Sequence, residues 1–131
     1  MEYNNSNYYV IVETKERLKT MKDDVLKICK EVMKCVVDEN YDRLEELNVF
    51  KTISVNDLKE IISGYLELNG YEKVVYPPEE SWEKTVYVIE LSKGGYHIDM
   101  DLWMDNEWSD LTLQIDVKGD GSFEIEDCHV M

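Results

Sequence analysis

From residue 96 onward the chain alternates. Tyr96, Ile98, Met100 and Leu102 are separated by His97, Asp99, Asp101 and Trp103. Leu111, Leu113, Ile115 and Val117 are separated by Thr112, Gln114 and Asp116, and Phe123 and Ile125 by Glu124 and Glu126. A period of two suits a strand with one buried face and cannot serve a helix. It also sets register, because a slip of one residue turns every apolar side chain to water. Pairing Leu102 with Leu111 brings Met100 opposite Leu113, Ile98 opposite Ile115 and Tyr96 opposite Val117. A three-residue turn at Gly119-Asp120-Gly121, with Gly121 left-handed, then pairs Val117 with Phe123 and Ile115 with Ile125. Past Glu126 the inward pair becomes Cys128 and Val130, so one extra residue, a bulge, is expected near Glu126-Asp127. Thr85–Leu91, rich in β-branched and aromatic residues and followed by the turn Ser92–Gly95, supplies a fourth strand.

The first half has a different period. Leu18, Met21, Val25, Ile28, Val32, Cys35 and Val36 follow spacings of three and four, which predicts a helix from just after Thr14 to near Asp38. Asn40 or Asp38 can cap a short helix carrying Tyr41, Leu44 and Leu47. Ser54, with Asp57 three residues on, starts a third helix whose shared face is Leu58, Ile61, Ile62, Tyr65 and Leu68, and Asn69-Gly70 stops it. Tyr8–Val12 reads as an edge strand or a lead-in. Tyr71–Tyr76 is a short extended run halted by Pro77-Pro78. No Gly-, Ser- or Pro-rich linker divides the halves. The expected fold is therefore one α+β domain over residues 1–131: a helical half (about 14–70) packed on one face of a four-stranded antiparallel meander (about 71–131).

Charge narrows the function. The 131 residues carry 14 Lys and Arg against 29 Asp and Glu, a net charge of −15. Residues 1–70 contribute −4 of this and residues 71–131 the remaining −11. Nucleic-acid binding needs cations to displace phosphate counterions, and anionic membranes repel such a chain. The opening residues show no basic n-region or long apolar run, and the three cysteines (Cys29, Cys35, Cys128) form no C-x-x-C pair and leave one thiol over. They read as small buried hydrophobes in a reducing compartment, so a cytoplasmic protein is expected.

The register has a chemical consequence on the polar face. His97, Asp116 and Glu124 form one cross-strand row, Asp99, Gln114 and Glu126 the next, and Asp101 lies beside Thr112 beyond. Opposed like charges destabilise a sheet, so stacked acids invite explanation. Three readings compete: a solvated outer face, a docking surface for a basic partner, and a divalent cation held by His97, Asp116 and Glu124. Asp116–Glu124 resembles a calcium loop only in part, since Lys118 stands third and strands flank it; it reads as a hairpin turn. No hydrolase, zincin, P-loop or dinucleotide motif is present. Cys128 and His129 are adjacent on a strand and point to opposite faces, which argues against a thiolate–imidazole pair. Trp103 and Trp108 fall beside the acids, and aromatic anchors rimmed by charge suit the centre of a protein interface.

The segments His97–Trp103, Ser109–Gln114 and Glu124–Val130 carry D-L-W, S-D-L-T-L and E-I-x-D-x-H-V elements in that order. In these the chain resembles an uncharacterised bacterial family of small acidic cytoplasmic proteins, over about its last 90 residues. Helices followed by a curved antiparallel sheet are also similar to the nuclear transport factor 2-like cone fold, which hosts isomerases and immunity domains. The leading expectation is a non-enzymatic immunity protein that neutralises a basic, nuclease-type toxin, with no cofactor. Asp99, Asp101, Asp116, Glu124 and Glu126 would form its electrostatic face, and Trp103 and Trp108 its anchors. Replacing Asp99, Asp101 and Asp116 with Asn is then expected to slow association and barely alter melting. Two alternatives remain open: a ligand-binding or isomerase-like enzyme with a pocket between helices and sheet, and a housekeeping interaction module or homodimer.

Overall fold

The computed structural model describes the backbone of residues 8–9 and 15–131, with side chains from residue 23 onward. Helix α1 spans Lys15–Val37, α2 Tyr41–Glu46 and α3 Val55–Asn69. The caps are those the sequence supplies. Asn40 Oδ1 accepts from Arg43 N, Ser54 Oγ accepts from Asp57 N at 3.0 Å, and Gly70 closes α3 at φ +73°. Val25, Cys29, Val32, Met33, Cys35 and Val36 of α1 are all buried, a wider face than the spaced stripe alone implied, whereas Leu18 and Met21 lie outside the described side chains. Leu68 corrects the α3 pattern: it is 85% exposed, two residues before the left-handed stop at Gly70, while Leu58 and Ile62 are buried.

The sheet follows as β1 (Tyr8–Tyr9), β2 (Val74–Val75), β3 (Val86–Leu91), β4 (Tyr96–Met104), β5 (Glu107–Val117) and β6 (Phe123–Val130). Its order is β1-β3-β4-β5-β6, all antiparallel. Strand β2 pairs the far end of β4, Val75 opposite Trp103, beyond the reach of β3. The four-stranded meander is thus present and carries two short strands more, with Tyr8–Tyr9 on the β3 edge and residues 10–12 outside the described ones. On the other edge, Ile125 N donates to Val49 O at 2.8 Å, so the α2–α3 connection blunts β6. One cluster of buried side chains joins the helices to Ile98, Met100, Leu102, Leu113, Ile115 and Ile125.

Most of the expected register is observed: Tyr96–Val117, Ile98–Ile115, Met100–Leu113, Ile115–Ile125 and Val117–Phe123. Gly121 sits at φ +91° in the β5–β6 turn, closed by Lys118 N to Ser122 O at 2.7 Å. The bulge near Glu126 is also present, since Ile115 faces Ile125 while Gln114 faces Asp127. Three details differ. The ladder breaks at the expected Leu102–Leu111 pair, and beyond it Trp103 faces Trp108 across a two-residue turn at Asp105-Asn106. Ser109 fills the break: its Oγ donates to Leu102 O at 2.6 Å and accepts from Leu111 N at 3.3 Å. Because Ser109 is buried, Ser109→Ala is expected to cost about 1–2 kcal/mol, measurable by urea denaturation. Val130 is 55% exposed rather than inward, leaving Cys128 alone as the buried side chain past the bulge. Finally, Pro77-Pro78 leads into a 3-10 turn (Glu79–Ser81) and a single helical turn, α4 (Trp82–Thr85), so Thr85 ends a helix rather than opening β3. Trp82 drives this, being 3% exposed with Tyr76 edge-on and the Lys30 ammonium over its ring.

Candidate functional site: a hydrogen-bonded acidic face

The side of β4–β6 turned from the core carries the rows the alternation implies. His97 faces Asp116, which faces Glu124; Asp99 faces Gln114; Asp101 faces Thr112, which faces His129; and Trp103 faces Trp108. The bulge alters one expected position. Asp127, not Glu126, stands opposite Gln114, and Glu126 instead hydrogen-bonds Asp116. All seven sequence-predicted site residues (Asp99, Asp101, Asp116, Glu124, Glu126, Trp103 and Trp108) therefore belong to one side of the sheet.

They are not loosely solvated. His97 lies between two carboxylates, Nδ1 at 2.7 Å from Asp116 Oδ1 and Nε2 at 3.0 Å from Asp99 Oδ1. Gln114 Nε2 donates to the same Asp99 oxygen at 2.9 Å. Thr112 Oγ1 donates to Asp101 Oδ1 at 2.7 Å, and the Trp108 indole N–H donates to Asp101 Oδ2 at 2.9 Å. The Trp103 indole N–H donates to Thr85 Oγ1 at 3.1 Å, and Thr85 Oγ1 in turn donates to Ser81 O at 2.9 Å. Lys118 approaches Glu124 at 3.7 Å, and His129 meets Asp127 at 3.0 Å.

Protonation follows from these contacts. The hydrogen bonds to Asp116 and then Asp99 outweigh burial and lift the His97 pKa to about 9, so the ring is an imidazolium at neutral pH. Burial pulls the Asp99 and Asp116 carboxyls upward, but hydrogen bonds from His97 and its neighbours overcome it and hold both below their ordinary range. Glu126 moves the other way, to about 7, because it shares a proton with Asp116, is partly buried and is repelled by Asp116 and Glu124. Stacked acids alone would repel; the partly buried His97 cation and a proton shared by Asp116 and Glu126 relieve much of that repulsion.

Both His97 ring nitrogens face carboxylates, and among the described residues no group of three His, Cys, Asp or Glu side chains is arranged to hold a metal ion. Cys128 is buried, with its thiol pushed up to about 12 by desolvation, while His129 points outward. Sequence reasoning gave no role to Thr112, Gln114, Thr85 or Asp127; row arithmetic places Thr112 and Gln114 beside the acids, Asp127 reaches its row only through the bulge, and Thr85 had no signal.

The family model described as a domain of unknown function, DUF7668, matches residues 33–131, three quarters of the chain. The chain belongs to the DUF7668 family. The matched span runs from the last five residues of α1 through β6 and so contains the entire acidic face and most of the core beneath it, Val25, Cys29 and Val32 lying before it. No curated protein and no solved structure matches the chain. Among the described residues no helix is long and apolar enough to cross a membrane.

Proposed function

We propose that this DUF7668 protein is a non-enzymatic binding protein of the immunity type, which caps a basic partner, a nuclease-type toxin domain, in the cytoplasm. One observation carries the reading: the carboxylates of β4–β6 and the Trp103–Trp108 pair share one side of the sheet and are held there by hydrogen bonds. A face ordered in advance loses little entropy on docking, and its field steers a cationic partner toward it. The rival reading, catalysis in a pocket between helices and sheet, has less support. The inward side chains of β4 and β5, such as Ile98, Met100, Leu113 and Ile115, are fully buried, and the buried polar residues among those described are Ser81, Thr85, Ser109 and Thr112. A half-open groove of about 320 Å³ near Tyr41, Lys59, Ile62 and Glu72 is lined by none of the acids of the β4–β6 face.

The structure changes the variant that tests this. Asp99 and Asp116 hold His97, so replacing them would lower melting as well as charge. Glu124 and Asp127 are better choices. With a purified basic nuclease-type toxin domain as the probe, Glu124→Gln/Asp127→Asn is expected to slow association about 5–10-fold at low salt, an effect that fades as the ionic strength rises. An unchanged stopped-flow on-rate, or no complex at all, would reject the reading.

A further inference from the structure

The indole pair ends the acidic rows at a groove of about 500 Å³ lined by Pro78, Glu80, Ser81, Lys84, Trp103 and Trp108. Trp108 is 53% exposed although its N–H is committed to Asp101, and the Trp103 N–H is committed to Thr85. With both donors spent inside the protein, what the two indoles offer a ligand is ring surface, in orientations already fixed. The face of an indole attracts cations, and a planar guanidinium stacks on it better than an ammonium does. Charge agrees, since Glu80 lines the groove, Asp101 holds one wall and the chain carries −15 overall.

We infer that the groove between the Pro78–Lys84 segment and the Trp103–Trp108 pair is the anchoring pocket for an arginine side chain of the basic partner. This rests on the reading of the acidic face as a docking surface and adds where the partner is gripped. Rigid aromatic anchors filled by an arginine are the usual centres of binding energy at interfaces, with surrounding charges governing encounter. Lys84 also lines the groove and repels an incoming guanidinium, so its removal should favour binding.

The test is a nuclear magnetic resonance titration of the full chain with acetyl-Gly-Arg-Gly-amide, set against its citrulline and leucine counterparts. The expected result is a saturable shift of the Trp103 and Trp108 indole N–H signals by the arginine peptide, at least tenfold weaker with citrulline, which keeps the shape and loses the charge. Glu80→Gln should weaken it two- to fivefold and Lys84→Ala strengthen it. In Trp108→Ala, followed through the Trp103 indole, the response should fall at least fivefold while the His97 ring signals stay in place. Equal binding of citrulline or leucine overturns the assignment, as does a response confined to the Asp99 and Gln114 rows. Concentration-dependent broadening of the indole signals without peptide would assign the groove to a second copy and also overturn it. Each of these failures leaves the on-rate experiment on Glu124 and Asp127 free to succeed, so loss of the pocket is distinguishable from loss of the docking face.

Discussion

Replacing His97 with Gln is expected to destabilise the fold by about 3 kcal/mol near pH 6 and to cost almost nothing at pH 10. The magnitude follows from the rise of the imidazole pKa from 6.5 to about 9. A cation favoured by folding contributes fully below its unfolded pKa, and that contribution drains away as pH climbs through 6.5 toward 9. Glu126 acts in the same direction: its carboxyl rises from 4.5 to about 7, so the folded chain resists losing this proton and stability falls as pH rises across that interval. Asp99 and Asp116 oppose this only at the acid end, where lowered carboxyls lose their contribution as pH drops below 3.8. The native protein should therefore be most stable near pH 5, with a steady decline toward pH 9. Urea denaturation at pH 5, 7 and 9.5 reads both the decline and its flattening in His97→Gln. A native curve level from pH 6 to 9 would mean that the imidazole is not held as a cation.

That network shows where the sequence was informative and where it was silent. Alternation decides which side of a strand a residue takes, so His97, Asp116 and Glu124 could be placed in one row from spacing alone. It says nothing about rotamers. Whether His97 reached Asp116, Asp99 or a metal depended on side-chain angles that burial of the face selects, and the pairing of Glu126 with Asp116 depended on the geometry of the bulge. The same division runs through the fold. Gly121 marked a turn because a positive φ is a backbone need that residue identity reveals. Ser109 marked nothing, because a hydroxyl that repairs a two-residue slip looks like any polar residue until the slip is seen. The helical turn before β3 was hidden for a related reason: four residues are too few for a period, and Trp82 docking against Lys30 and Tyr76 holds it.

Gly95→Ala should be among the most damaging single substitutions outside the core, at about 3–5 kcal/mol. Gly95 sits at φ +85°, and a Cβ there would fall 2.1 Å from Val117 O, a backbone atom that cannot swing aside. Gly94 supplies the control. It has φ +95° in the same turn but nothing within 4 Å of a built Cβ, so Gly94→Ala should cost only the left-handed penalty, about 1–2 kcal/mol. The difference reaches the site. Gly95 precedes Tyr96, which faces Val117, and His97, which faces Asp116, so relieving the clash must push the start of β4 away from the end of β5. Gly95→Ala is therefore expected to lower the melting temperature by 10 °C or more, taking about 3 °C per kcal/mol for a chain of this length. It should also return the His97 titration toward 6.5 as the 2.7 Å contact with Asp116 opens, whereas Gly94→Ala should leave that titration near 9. If the two variants melt together and titrate alike, the close approach of Gly95 to Val117 is not what holds these two strand ends, and with them His97 and Asp116, in register.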